Sequence, residues 1–131
     1  FNFKPLTSRT ALYCMEYQVL QEKAMKISPT IRYATIIDLN GRVKASGHRR
    51  GVKNLLTTKE SLQALKTSAN TRKARNRISR KIGRGKFALA QYGKLKRIVI
   101  PLGNNHLLYL TTSPNADHTK IISRATRLKL K

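Results

Sequence analysis

Residues 72 to 86 read RKARNRISRKIGRGK and hold eight cations (Arg72, Lys73, Arg75, Arg77, Arg80, Lys81, Arg84, Lys86) and no acid. Side chains of this kind bind oxyanions, arginine through a planar fork of donors and lysine as a point charge. Other stretches repeat the theme: Arg49, Arg50 and Lys53 in a glycine-bracketed loop, Lys94, Lys96 and Arg97 near a turn, and Lys120, Arg124, Arg127 and Lys131 at the C-terminal end. Steps of four, three and four residues place the last group on one narrow helical stripe. Lys66, Lys73, Arg77, Arg80, Lys81 and Arg84 fall within roughly a third of a helix's circumference. A charge run is ordinarily a solvated face, but here 28 Lys and Arg stand against 5 acids, for a net charge of +23. A chain so charged repels itself, and an anionic partner relieves the repulsion.

Other chemistry finds little support. GRGK at 83–86 has Phe87 where a phosphate loop needs Ser or Thr, so it reads as a helix stop followed by a strand. His48, His106 and His118 lie far apart with no Cys or Glu at ligand spacing, so no metal and no cofactor is expected. Cys14 stands alone, which rules out an internal disulfide and reads as a buried small hydrophobe in an intracellular protein. The five acids, Glu16, Glu22, Asp38, Glu60 and Asp117, form no evident pair for general acid–base work, so an enzyme is not expected. Asp38 and Arg32 share a strand face by alternation, as an ion pair or as solvated groups. Asp117-His118 reads as helix-start polarity beside an exposed imidazole. No stretch approaches a membrane span, and FNFKPLTSRT lacks the apolar run of a signal peptide, so a cytoplasmic location is expected. Basic helices can also lie on anionic lipid, but the apolar groups beside these cations are expected to belong to the core, and that reading ranks last.

The elements that position these groups follow from periodicity. Residues 6 to 26 predict a helix with Leu12, Met15 and Val19 on its apolar face, flanked by Tyr13, Tyr17, Leu20 and Ala24. IRYATIIDLNGRVKAS predicts a hairpin, its Asn40-Gly41 pair suited to a type I′ turn. Thr57 and Glu60 have capping-box spacing, and a helix is expected from there to about Ile82, stopped by Gly83. Leu62, Leu65 and Ala69 share one of its faces, while Ala74, Ile78 and Ile82 lie nearly opposite, so it bends or is contacted on two sides. Strands are expected over about 86–92, 95–100 and 106–112, followed by a last helix from Ser113-Pro114 burying Ile121, Ile122, Ala125 and Leu128. The five tyrosines sit in apolar periodic segments and read as core. The expected class is α+β, one five-stranded antiparallel sheet with helices packed on it, in the order α-β-β-α-β-β-β-α, within a single domain spanning residues 1–131.

This order resembles the roadblock (dynein light chain-like) fold, a relative of profilin-like sheets. IRYATIIDLNGRV, KIGRGKFALAQYGKLKRIVIPLGNNHLLYLTT and PNADHTKII also resemble a conserved archaeal family of unknown function from ammonia-oxidising archaea, together covering most of residues 25 to 125. The resemblance implies a non-enzymatic domain that dimerises through a sheet edge and its central helix, and in some cases a platform for small GTPases. Members of that family carry acids along the central helix, whereas here no acid follows Glu60 until Asp117.

The charge footprint and the resemblance point different ways, and the footprint leads. The expectation is a nucleic-acid-binding protein contacting phosphates, with structured RNA ahead of DNA and a place in an archaeal ribosome beside ribosomal proteins. There is no zinc-finger spacing, RNP motif, KH-type GXXG loop or Trp for stacking. Two alternatives stand beside it: a DNA-binding nucleoid protein, and a dimeric roadblock-like scaffold for a protein partner.

Overall fold

The computed structural model describes residues 8–130, with side chains from residue 15 onward. The expectations for Leu12, Tyr13, Cys14 and Lys131 therefore lie outside the described residues. Helix α1 (Ser8–Met25) leads into a hairpin of β1 (Ile31–Asp38) and β2 (Val43–His48). Helix α2 (Thr58–Asn76) and a one-turn α3 (Ser79–Ile82) follow, then β3 (Ala88–Gln91), β4 (Lys96–Leu102), β5 (His106–Thr112) and α4 (His118–Ala125). The strands form one antiparallel sheet in the order β2-β1-β5-β4-β3. This is the α+β arrangement expected, with one helix more.

Alternation divides the core into two layers. Ile98, Ile100 and Leu102 of β4, Leu108 and Leu110 of β5, and Ala34 and Ile36 of β1 pack with Leu20 and Ala24 of α1 and Ile121, Ile122 and Ala125 of α4. The opposite layer is thin: Ile37, Leu107 and Tyr109 meet only Leu65 and Ala69 of α2, with Leu39 and Val99 at its margin.

Local chemistry sets where the elements begin and end, and in several places it departs from expectation. The Thr57–Glu60 capping box forms, with the Glu60 amide donating to Thr57 Oγ1 at 3.1 Å and the Thr57 amide to Glu60 Oε1 at 3.0 Å. The long central helix is interrupted after Asn76, because Ala74, Ile78 and Ile82 pack against nothing that would hold the next turns in line; all three are exposed. The hairpin turn is not type I′, since Asn40 keeps a negative φ and only Gly41, at +80°, is left-handed. Asp38 directs it instead, its Oδ1 accepting from the Asn40 amide at 2.8 Å and the Arg42 amide at 3.0 Å. The result is a type I turn closed by a left-handed glycine. Met15 and Val19 are exposed, and α1 buries Leu20, Gln21 and Ala24, the Gln21 amide donating to the Ala34 carbonyl at 3.3 Å. Helix α4 starts at His118, capped by Asp117 rather than opened by Pro114, and ends at Ala125, so Arg127 lies beyond the helix and the four-residue stripe is not continued.

His106, at the head of β5, is half-buried with a ring nitrogen 2.9 Å from Tyr17 Oη. Burial, then the nearby Lys44, lowers its pKa from the usual 6.5, against a smaller pull from Asp38. A histidine depressed in the folded state contributes stability above its unfolded pKa and loses it as pH falls below about 6.5. We expect the urea midpoint to drop between pH 7 and 5.5, modestly because the ring is partly solvated, and His106→Gln to flatten that drop.

Candidate interaction surface

The predicted oxyanion contacts separate into cations used by the fold and cations facing solvent. Arg49 Nε donates to the Ile31 carbonyl at 2.8 Å, and its Nη2 to the Met25 and Ser28 carbonyls at 2.7 and 3.0 Å. Arg124 reaches the Ile27 carbonyl at 3.3 Å, so these two clamp the α1–β1 corner. Lys96 is buried, its Nζ donating to the Ala116 carbonyl at 2.8 Å and lying 2.9 Å from His118 Nδ1. It ties β4 to the start of α4, and His118 is half-buried rather than exposed. Arg72 is buried and donates to the Gly85 carbonyl at 2.8 Å, Arg84 donates to the Gly103 carbonyl, and Lys73 reaches Asn40 Oδ1 at 3.3 Å. Asp38 faces Lys44 at 3.8 Å, while Arg32 donates to the Lys53 carbonyl, so the two are not partners. Arg50, Lys53, Arg75, Arg77, Arg80, Lys81, Lys86, Lys94, Lys120 and Arg127 are exposed.

The cations do not converge on one face. Arg49 and Arg124 sit where β1 begins and β5 ends, whereas Arg84 sits at the opposite end of the strands, by the β4–β5 turn. The structure does bring Arg72, Arg75 and Arg97 to one cavity of about 190 Å³ between α2 and β3–β4. Arg72, Arg80 and Arg84 line a second, adjoining one.

The surface that charge did not announce is apolar. Helix α2 crosses the sheet without covering it and leaves a groove on each side. One is the Arg72 cavity; the other, about 240 Å³, runs between the N-terminal half of α2 and the β1–β2 hairpin, lined by Leu55, Leu56, Leu62, Val43, Tyr33 and Tyr109. Leu55, Leu56, Leu62, Ile78, Ile82, Phe87, Leu89 and Tyr92 are all exposed, so apolar groups beside the basic α3 do not belong to the core. Strand β3 closes the sheet at this end, pairing with β4 alone. Its four residues, Ala-Leu-Ala-Gln, carry no charge and no proline. Natural edges are usually guarded by lysine, proline or a bulge. In a chain with 28 cations, an unguarded edge is the compositional signal that a reading led by charge passes over.

Among the described residues no three His, Cys, Asp or Glu lie together in a way that could hold a metal ion, and no helix is long and apolar enough to cross a membrane.

A five-stranded antiparallel sheet with α1 and α4 on one face and α2 across the other is the roadblock/LC7 class of fold. Solved structures that share it include the gliding protein MglB from Thermus thermophilus, at TM-score 0.70 and 19% identity over 95% of this chain and 93% of that one. They include also an MglB in a tetrameric arrangement (TM-score 0.72, 20% identity, 95% and 93% covered) and a roadblock/LC7 domain from Streptomyces avermitilis (0.64, 13%, 84% and 91%). No protein-family model and no curated protein matches the sequence.

These likenesses overturn the expected nucleic-acid role. The similar chains named here are roadblock/LC7 and MglB proteins, and none of them is named as a ribosomal component. The cation count also overstates what is free to meet a phosphate: Arg49, Arg72, Arg84, Lys96 and Arg124 serve the fold's own carbonyls.

Proposed function

We propose that this protein is a roadblock-fold scaffold that self-associates through β3 and the α2 face and presents the composite surface to a protein partner. The observation that carries the reading is the uncharged β3 edge beside exposed apolar side chains. An open strand edge offers unpaired amides and carbonyls, and a second copy of the same edge, related by a twofold axis, satisfies them while continuing the sheet. Leu89 and the flanking Phe87 and Tyr92 would be covered in the process. The other edge, β2, carries Lys44 and a register shift against β1, the usual guards against such pairing.

Each copy carries +23, so association works against long-range repulsion and should strengthen with salt. Sedimentation velocity in low salt and in about 1 M salt, where the screening length is about 3 Å, tests this. We expect a dimer favoured at high salt, and for Leu89→Lys with Gln91→Lys a dissociation constant raised at least about tenfold, or about 1.4 kcal/mol, with an unchanged circular dichroism spectrum. A wild-type chain that stays monomeric in both salts would sink the reading.

A further inference from the structure

The cavity between α2 and β3–β4 joins apolar groups such as Phe87, Leu89 and Val99 to a cluster of cations. Arg72, Arg75 and Arg97 all line it, with Ser68 and Thr71 and the backbone of Gly85, and none of the chain's five acids does. Arginines brought together without a carboxylate repel one another, and they have done so here inside a partly closed space. Arg72 is only 9% exposed, and burial, then Arg84 and Arg75, pull its pKa below the ordinary value.

Arg97 is the most telling of the three. Its guanidinium lies over two aromatic rings, 5.3 Å from the centroid of Tyr92 and 5.5 Å from that of Tyr109. That contact fixes the group in place without neutralising it. Its buried Nε has no hydrogen-bond partner among the described residues. Arg72 is held from the other side by the Gly85 carbonyl, and a side chain at position 85 would meet Arg72 Nη1 at 2.9 Å.

We infer that this cavity binds a small phosphate or phosphomonoester, its dianion shared among Arg72, Arg75 and Arg97. Forked guanidinium groups match phosphate oxygens two at a time, and hydroxyls such as those of Ser68 and Thr71 suit the remaining lone pairs. The volume of about 190 Å³ is below the roughly 300–1,000 Å³ of sites for drug-sized molecules. It is large enough for a terminal phosphoryl group. This inference does not rest on self-association.

Isothermal titration of the full chain with inorganic phosphate, in chloride buffer of matched ionic strength, tests it. The expected result is a saturable stoichiometric site, abolished or weakened at least about tenfold by Arg97→Gln. Arg75 is exposed, so Arg75→Gln keeps the test valid should Arg97→Gln fold poorly, and it should weaken binding similarly. Arg97→Lys, which keeps the charge and loses the fork, should not restore affinity. Glycerol 3-phosphate as a second titrant separates the free ion from a monoester, and saturation by either supports the site. The double variant Arg50→Gln, Arg127→Gln removes charge elsewhere and should bind as the parent does. Absence of saturation with both titrants overturns the inference. So does equal weakening in the double variant, or unaltered binding in both Arg97→Gln and Arg75→Gln.

Discussion

Replacing Arg49 by alanine should lower the unfolding free energy by about 3 kcal/mol, while the same change at Arg50, its neighbour in the chain, should stay within about 0.5 kcal/mol. The two differ in what they touch. Arg50 is exposed, whereas the Arg49 guanidinium donates to the carbonyls of Met25, Ser28 and Ile31 at 2.7–3.0 Å. These are acceptors at the end of α1 and the start of β1, where the last turn of a helix leaves carbonyls without partners inside the helix. Hydrogen bonds from a charged donor contribute about 1.5–3 kcal/mol each. The corner is partly solvated, so water recovers some of the loss, and the sum over three acceptors settles near the value of one or two strong bonds. Arg49→Lys should recover only a minor part, because one ammonium on a flexible stem does not span carbonyls that a planar fork reaches from two nitrogens. Urea unfolding of the variants checks this. Equal stability of Arg49→Ala and Arg50→Ala would mean that Arg49 is a surface cation like the rest.

Gly41→Val should cost about 2–3 kcal/mol, made up of two terms. The left-handed backbone, φ +80°, accounts for about 1–2 kcal/mol in a residue with a side chain, at the upper end when it is β-branched. The remainder comes from α2, whose backbone at Lys66 Cα lies 2.9 Å from where a side chain's first carbon would stand. Backbone cannot swing aside as a lysine tip can, so the hairpin and the helix must part. Gly103 separates the terms: it is also left-handed, at +65°, but a side chain there meets nothing within 4 Å. Gly103→Val should therefore show the backbone term alone. Chemical denaturation of both variants, with near-equal losses, would remove the claim that the hairpin tip seats α2.

How much of this was legible in the residues depends on the kind of acceptor involved. The sheet was, because β4 buries every second residue, and β1 and β5 are apolar runs, buried over four residues in succession, that turn residues bracket. The Thr57–Glu60 cap was, because both partners are side chains at a fixed spacing. The role of the cations was not. An arginine that meets a backbone carbonyl cannot be told from one that meets water, since every residue carries a carbonyl and the meeting is decided by the fold. Arg49 finds its acceptors 18 to 24 residues away. Gln21 hides for a similar reason: its amide is buried against the Ala34 carbonyl, where polarity alone would place it in solvent, while Met15 and Val19 are exposed. The hairpin turn departs from expectation at Asp38, a group that alternation offers for an ion pair. Burial raises its carboxyl pKa, but the Arg42 and Asn40 amides and Lys44 more than offset this and hold it below the usual value. The β3 edge was legible in principle as the absence of charge.

The unequal thickness of the two layers has a consequence for motion. The α1–α4 side is held by a broad apolar layer and by the clamps at Arg49, Lys96 and Arg124, whereas α2 is held by Leu65, Ala69, the seat at Gly41 and the bonds of Arg72 and Lys73. The cheapest large fluctuation of this molecule is therefore the lifting of α2, with the strand ladder and the far layer left standing. The face proposed to meet another copy is thus the face that breathes. Docking there would do more than add contacts: by pinning α2 it would raise the opening free energy of the least stable unit, so that occupancy of that face and stiffness of the whole fold rise and fall together.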